Sequence, residues 1–443
     1  MKVAPLKIAV IGAGWAGCAA AAELTRKKHQ VTLFESARTL GGRARLVETD
    51  GRKIDNGQHI LLGAYAETLR VMRMVGIDLE RTVLRLPLQM RYPPNSGGMD
   101  FAAPRLPAPF HLLAALWRTS GLEREDKMAL ARFSSTARWM GWQLNSDCSV
   151  IKLLEQFQQT ERLTKLMWRP LCIAALNTPP ERASAQVFLN VLRDSLGAKR
   201  AASDMLIPRV DLTALFPKQA AAYVEACGGI VKLGASVKSI TRRGAVWQLE
   251  AAGDSADEAH AQNFDKVIVA TQASHASALL GSLMDVAHLN AFEYEPITTC
   301  YLQYLPDIRL ERPFFALIDD GAINDWGQFV FDRGQLDPVN AGLLAVVVSA
   351  SSEAIEMGQL ALGAAVGAQL AKVFARPELG KPTWVKIISE KRATFACTPG
   401  LVRPENSTGI AGIFLAGDYT VSDYPATLEA AVRSGVKAAQ AVA

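Results

Sequence analysis

Cysteine pairs, metal-spaced histidines, basic runs and long apolar stretches are all missing from this chain of 443 residues. Its six cysteines, Cys18, Cys148, Cys172, Cys227, Cys300 and Cys397, lie far apart with no C-x-x-C pair. That excludes a zinc ribbon or a disulfide scaffold and predicts buried free thiols in a reducing compartment. The six histidines show neither H-x-x-x-H nor H-E-x-x-H spacing, so no metal is expected. Lysine and arginine total 48 against 43 acidic residues and are dispersed along the chain, which argues against a nucleic-acid partner. No window approaches the roughly 18 uninterrupted apolar residues of a membrane span. The apolar opening is broken by Gly12, Gly14 and Gly17 and lacks the small-residue cleavage site of a leader. The expectation is a cytoplasmic protein, at most peripheral on the inner face of the cytoplasmic membrane. Repeats and low-complexity linkers are absent as well.

What is present is 49% hydrophobic sequence with only 21% charged residues, enough apolar material for a folded chain of two or three domains. Its first segment reads strand, turn, helix, strand: Lys7 to Ile11, then helical composition from Cys18 to Lys28, then Val31 to Phe34. Between the first strand and the helix stands Gly12-Ala13-Gly14-Trp15-Ala16-Gly17. The first glycine of such a G-x-G-x-x-G permits the tight turn, the second lets a pyrophosphate approach the backbone, and the third lets helix and strand pack closely. Free amides at the helix start then face the phosphates. Glu35, at the end of the second strand, suits a ribose diol and repels a 2′-phosphate.

NAD and FAD share that fingerprint, and later residues separate them. Leu40-Gly41-Gly42-Arg43 places a second glycine loop and a cation near the same pyrophosphate. Near the other end, Ile413 to Asp418 reads as a strand closing on Gly417-Asp418, followed by a helix from Pro425 to Val442 whose positive end suits a flavin ring. Together these motifs resemble the flavin amine oxidase and phytoene desaturase superfamily. The resemblance implies noncovalently bound FAD, with Asp418 on its ribityl and phosphate part and the backbone at Thr427 and Leu428 beside the ring. It also implies that Gly228 to Val231 and Val237 to Ile240 form a strand pair with Val237 along the adenine, and that Asp265 to Thr271, through Ala270, returns to the FAD sheet.

The expected fold class is α/β: a discontinuous Rossmann-like FAD domain of the GR2 type, built from 1–80, 205–285 and 405–443. Residues 81–204 and 286–404 would form an interleaved substrate domain. Within it a hairpin is expected over 86–101, antiparallel strands near 297–305, 327–332 and 342–350, and helices near 110–195 and 354–375. Pro107 to Arg118 is a short apolar helix with an aromatic and a cation at its end, which suits either an interfacial element or a core helix. A second strand-bounded glycine fingerprint is lacking, so electrons must come from an external donor.

Asp55-Asn56-Gly57-Gln58-His59-Ile60-Leu61-Leu62-Gly63-Ala64-Tyr65 resembles the corresponding segment of the squalene-associated FAD-dependent desaturases, the hydroxysqualene dehydroxylases of hopanoid synthesis. Leu206 to Phe216 and Glu390 to Phe395 resemble the same family. The resemblance places Gln58 and His59 at the flavin edge and implies a long apolar isoprenoid substrate. Losing an allylic hydroxyl needs a general acid and a dry cavity. His59 is the first candidate acid because imidazolium is accessible near neutral pH, and Asp55 the second if burial raises its pKa. Against both stands the alternative, which is the favoured one, that they only hold the loop against the flavin by hydrogen bonds. An oxidative polyprenyl desaturase and a non-redox prenyl-lipid carrier are the alternatives.

Overall fold

The computed structural model describes residues 5–94, 96–197, 199–252 and 260–442. A five-stranded parallel sheet runs in the order Ile230–Lys232, Gln30–Phe34, Lys7–Ile11, Lys266–Val269, Ile413–Leu415. Its central strands are buried along nearly their whole length, so they read as continuous apolar runs instead of alternating ones. Helix Trp15–Arg26 joins the first two strands, and its run Ala19 to Ala22 is fully buried. Small side chains there let the C-terminal helix, Leu428–Ala441, lie close: a Cβ at Gly435 would run into the Ala16 carbonyl oxygen.

A second five-stranded sheet is antiparallel, in the order Phe314–Ala316, Phe329–Asp332, Leu343–Ser349, Tyr294–Gln303, Trp384–Phe395. Period-two alternation divides its side chains. Cys300, Leu302, Val330, Leu344 and Val346 pack under helix Gln359–Val373. Tyr301, Phe329, Phe331, Ala345 and Val347 face the other way and join one apolar cluster with the helical layer over 110–196. Phe314 stacks on Phe329 with ring centroids 5.6 Å apart, and Phe133, Trp168 and Phe188 form a further aromatic chain in that layer.

Several sequence expectations shift. The first helix starts at Trp15, three residues early, because Gly14 already serves as its cap. The last helix starts at Leu428, where the Thr427 hydroxyl accepts from the Ala430 amide at 3.2 Å. The last strand of the parallel sheet stops at Leu415, and the expected hairpin is Gln89–Arg91 with Asp100–Ala102. The segments at 230 and 237 do not pair with each other: Ile230–Lys232 joins the parallel sheet beside Gln30–Phe34, while Ser236–Arg243 pairs with Val246–Ala252 in a separate sheet. Val83–Leu86, placed with the substrate domain, pairs with Met205–Pro208 of the FAD segments, so strand pairing crosses the boundary set at 80. Cys227 is exposed, unlike Cys18, Cys172, Cys300 and Cys397, which are buried.

Alanine is the better helix former by about 1 kcal/mol, yet packing decides the sign at Gly435. Gly435→Ala is expected to lower the melting temperature by several degrees. Gly367→Ala, whose Cβ would meet nothing nearer than 3.5 Å, is expected to leave it unchanged or raise it. Thermal unfolding of the two variants beside the parent checks both.

Candidate functional site

Two glycine loops meet at the carboxyl end of the parallel sheet. Gly12 adopts φ +100°, and a Cβ there would lie 2.8 Å from the Ala270 carbonyl oxygen, while one at Gly17 would run into the Gly12 carbonyl. Gly14 and Gly41 form a parallel bridge, the Gly41 amide donates to the Ala13 carbonyl at 2.9 Å, and a Cβ at Gly42 would sit 3.1 Å from the Gly14 Cα. Backbone thus faces backbone, which only glycine permits. The helix beginning at Trp15 has no side-chain cap and no carboxylate in its first turn, so its leading amides and the positive end of its dipole are open to an anion.

Glu35 closes one side. Its Oε2 accepts from the Ala13 amide at 2.7 Å and its Oε1 from the Ala37 amide at 2.9 Å. The Gly234 and Ala235 amides donate to the Ala37 and Glu35 carbonyls, which brings the chain leading to Val237 alongside. On the other side, Arg43 Nη2 donates to Asp418 at 2.6 Å and Nη1 to the Ala393 carbonyl at 2.5 Å. Burial opposes the Arg43 charge, but Asp418 outweighs burial and holds the guanidinium above its ordinary pKa. Gly417 is pinned under the Tyr419 ring, and the Tyr419 hydroxyl is buried with no hydrogen-bond partner among the described residues. An open helix start between glycines, an acid at the strand end, a half-buried cation and an orphan hydroxyl form a set of groups that fits the pyrophosphate, ribose and ring of FAD.

The segment after Arg43 carries the remaining candidates. His59 Nδ1 donates to the Gly57 carbonyl at 3.2 Å. Burial depresses the His59 pKa, the Gly57 contact offsets this in part, and the Arg43 charge adds to the depression. Its ring is therefore neutral near pH 7, with Nε2 as a proton acceptor. That runs against imidazolium as the resting acid. Asp55 behaves oppositely: burial pushes its carboxyl up to about 7, against the lowering pull of Arg333 and of the Leu212 amide, which donates to Oδ1 at 2.8 Å. The Gln58 side chain, expected at the cofactor, is engaged elsewhere. Its Nε2 donates to Tyr301 at 2.8 Å and its Oε1 accepts from Arg333 at 3.1 Å, while the Tyr301 hydroxyl donates to the Asp55 carbonyl at 2.7 Å.

Sequence reading missed Tyr301, Arg333 and Arg403. Arg403 donates to the carbonyls of Asp418, Tyr419, Ser422 and Tyr424 and so clamps the turn that carries Asp418. A single arginine in an irregular segment carries no periodic signal, so only the folded chain exposes that role.

The chain belongs to the flavin containing amine oxidoreductase family, which it matches over residues 15–443. It is a FAD-dependent oxidoreductase. Among relatives, it is 29% identical over 448 residues to the hydroxysqualene dehydroxylase of Rhodopseudomonas palustris, covering 98% of this chain and 97% of the relative. It is 25% identical over 487 residues to a probable zeta-carotene desaturase of Synechococcus elongatus, covering 99% and 98%. An oxidoreductase from Methanosarcina mazei has the same fold, with a TM-score of 0.73 at 16% identity over 98% of this chain and 100% of that one. No helix among the described residues is long and apolar enough to cross a membrane.

Two outcomes follow from these contacts. Arg43→Gln removes the cation beside Asp418 and is expected to reduce FAD retained after gel filtration at least about tenfold, a loss of about 1.4 kcal/mol. Asp55 carries a folded pKa of about 7 against an ordinary 3.8, so its contribution to stability is full at acid pH and is lost as pH rises through about 7. Asp55→Asn keeps an acceptor for the Leu212 amide without that ionisation. Its melting temperature relative to the parent is expected to rise by a few degrees from pH 5 to pH 8, and a flat difference would contradict a buried, raised carboxyl.

Proposed function

We propose that this oxidoreductase removes the allylic hydroxyl of hydroxysqualene reductively, giving squalene for hopanoid synthesis. The observation that carries the chemistry is Asp55: a carboxyl held by burial near a pKa of 7, on the segment leading away from the Arg43 loop and beneath the Tyr301 face of the antiparallel sheet. The identity of the substrate is supported by the full-length similarity to relatives named hydroxysqualene dehydroxylase.

Reduced FAD supplies a hydride from its N5 atom when bound. The chain must supply a proton to the departing hydroxyl, which leaves as water, and must keep other water from the allylic cation. Asp55 holds a proton at neutral pH better than His59, whose depressed pKa leaves Nε2 unprotonated. His59 then orients the loop. Phe314, Phe329 and Phe331, with Ala345 and Val347, belong to the same buried apolar cluster as Tyr301 and carry no polar side-chain atom to hold competing water. The electron donor is a separate protein or a transiently docked nicotinamide, and the reaction takes place on the cytoplasmic side of the cell.

A second reading, oxidative desaturation of a polyprenyl chain, is favoured by the similarity to the zeta-carotene desaturase. Anaerobic incubation of the reduced holoenzyme with hydroxysqualene separates the two. Squalene, formed with reoxidation of the flavin, is expected. Absence of squalene, together with oxidation of a phytoene-like polyene by the oxidised enzyme, would sink the proposal. In the same assay Asp55→Asn is expected to cut turnover by about 10²–10⁴ while retaining FAD, and the parent rate should fall as pH rises through about 7. Unchanged turnover in Asp55→Asn and in His59→Phe would remove both from the role of acid.

A further inference from the structure

Large apolar side chains exposed elsewhere on the chain are scattered, but between residues 106 and 128 they gather. Leu106 is 40% exposed, Phe110 61%, Leu113 56%, Trp117 80% and Met128 54%. Phe110, Leu113 and Trp117 recur at spacings of three and four within helix Phe110–Arg118 and so share one face, while His111 and Ala115 are buried on the other. Lys127 Nζ donates to the Trp117 carbonyl at 3.2 Å, which sets Met128 and its neighbours beside the end of that helix.

Charge surrounds the stripe. Arg105, Arg118 and Arg124 are exposed and have no ion-pair partner among the described residues, against the exposed carboxylates Glu123 and Glu125. Next to Leu106, a cavity of about 180 Å³ is lined by Arg85, Pro87, Arg105, Arg200 and Asp204. Arg85 and Arg200 share the single carboxylate of Asp204 at 3.0 and 2.7 Å, so this cavity keeps a surplus of positive charge. Leu112 and Leu116, on the same helix, pack against the apolar cluster that continues to Phe329 and Phe331.

We propose that this face is a docking surface for the anionic leaflet of a lipid bilayer, with Phe110, Leu113 and Trp117 entering the interface and the arginines meeting lipid phosphates. Exposed aromatics and leucine on one side of a short helix, flanked by cations, are what an interfacial element needs. A two-fold contact with a second copy would instead bring two patches of the same net positive sign together. The inference stands on exposure and charge, independently of the substrate.

Sedimentation of the FAD-loaded full chain with vesicles tests it, using phosphatidylcholine alone or an equal mixture with phosphatidylglycerol. Binding to the mixed vesicles is expected, weaker by about tenfold for phosphatidylcholine alone and in high salt. The triple variant Phe110→Ser, Leu113→Ser, Trp117→Ser should keep its flavin absorbance and melting temperature and lose at least about tenfold in vesicle binding. Arg105→Gln with Arg118→Gln should remove the preference for the anionic mixture. Failure of the parent to bind mixed vesicles, equal binding to both compositions, or unchanged binding of the triple variant would overturn the proposal. So would a light-scattering mass of two chains that falls to one in the triple variant.

Discussion

Close approach of backbone to backbone at the carboxyl end of the parallel sheet is the constraint on which the rest of this structure depends. Gly12 lies against the Ala270 carbonyl, Gly17 against Gly12, Gly42 against Gly14, and Gly435 of the last helix against Ala16. A side chain at any of these points would push apart elements that come from residues near 12, 42, 270 and 435. The same closeness leaves the amides at the start of helix Trp15–Arg26 without a protein partner, so the feature that assembles the domain also makes it a phosphate site.

Burial then sorts the charged groups around that site by sign and partner. Arg43 stays cationic in a half-buried position because Asp418 is beside it. Asp55 has no ion-pair partner among the described residues and instead faces an amide, so its carboxyl moves toward neutrality. His59 gains no carboxylate and lies near a cation, so it moves toward the neutral ring. Two candidate acids that look interchangeable on one short segment are thus driven in opposite directions by their surroundings.

Motifs were legible in the sequence wherever chemistry demands adjacent residues. The glycine fingerprint, Glu35, the Gly41-Gly42-Arg43 loop and Gly417-Asp418 all stand where a reader of the chain would place them, and the structure brings them together. Strand and helix existence was legible too, since Leu343–Ser349 is a short continuous apolar run and Gln359–Val373 a longer stretch rich in alanine and leucine. Edges were less so: Trp15 and Leu428 begin their helices at caps whose geometry no local pattern announces. The separate destinations of Ile230–Lys232 and Ser236–Arg243 were not legible at all, because partner choice depends on which edge of which sheet is free.

By itself the sequence determined the class of fold, the cofactor and the family, because dinucleotide binding relies on contiguous residues with small or absent side chains. Tertiary structure alone decided that Gln58 turns to Tyr301 and Arg333, that Arg403 clamps the Asp418 turn, and that Asp55 rather than His59 holds a proton near neutral pH. It alone decided which face of Phe110–Arg118 meets solvent. The physical reason is the same in each case: hydrogen-bond partners, desolvation and exposure are set by residues hundreds of positions away, and a linear chain does not record those distances.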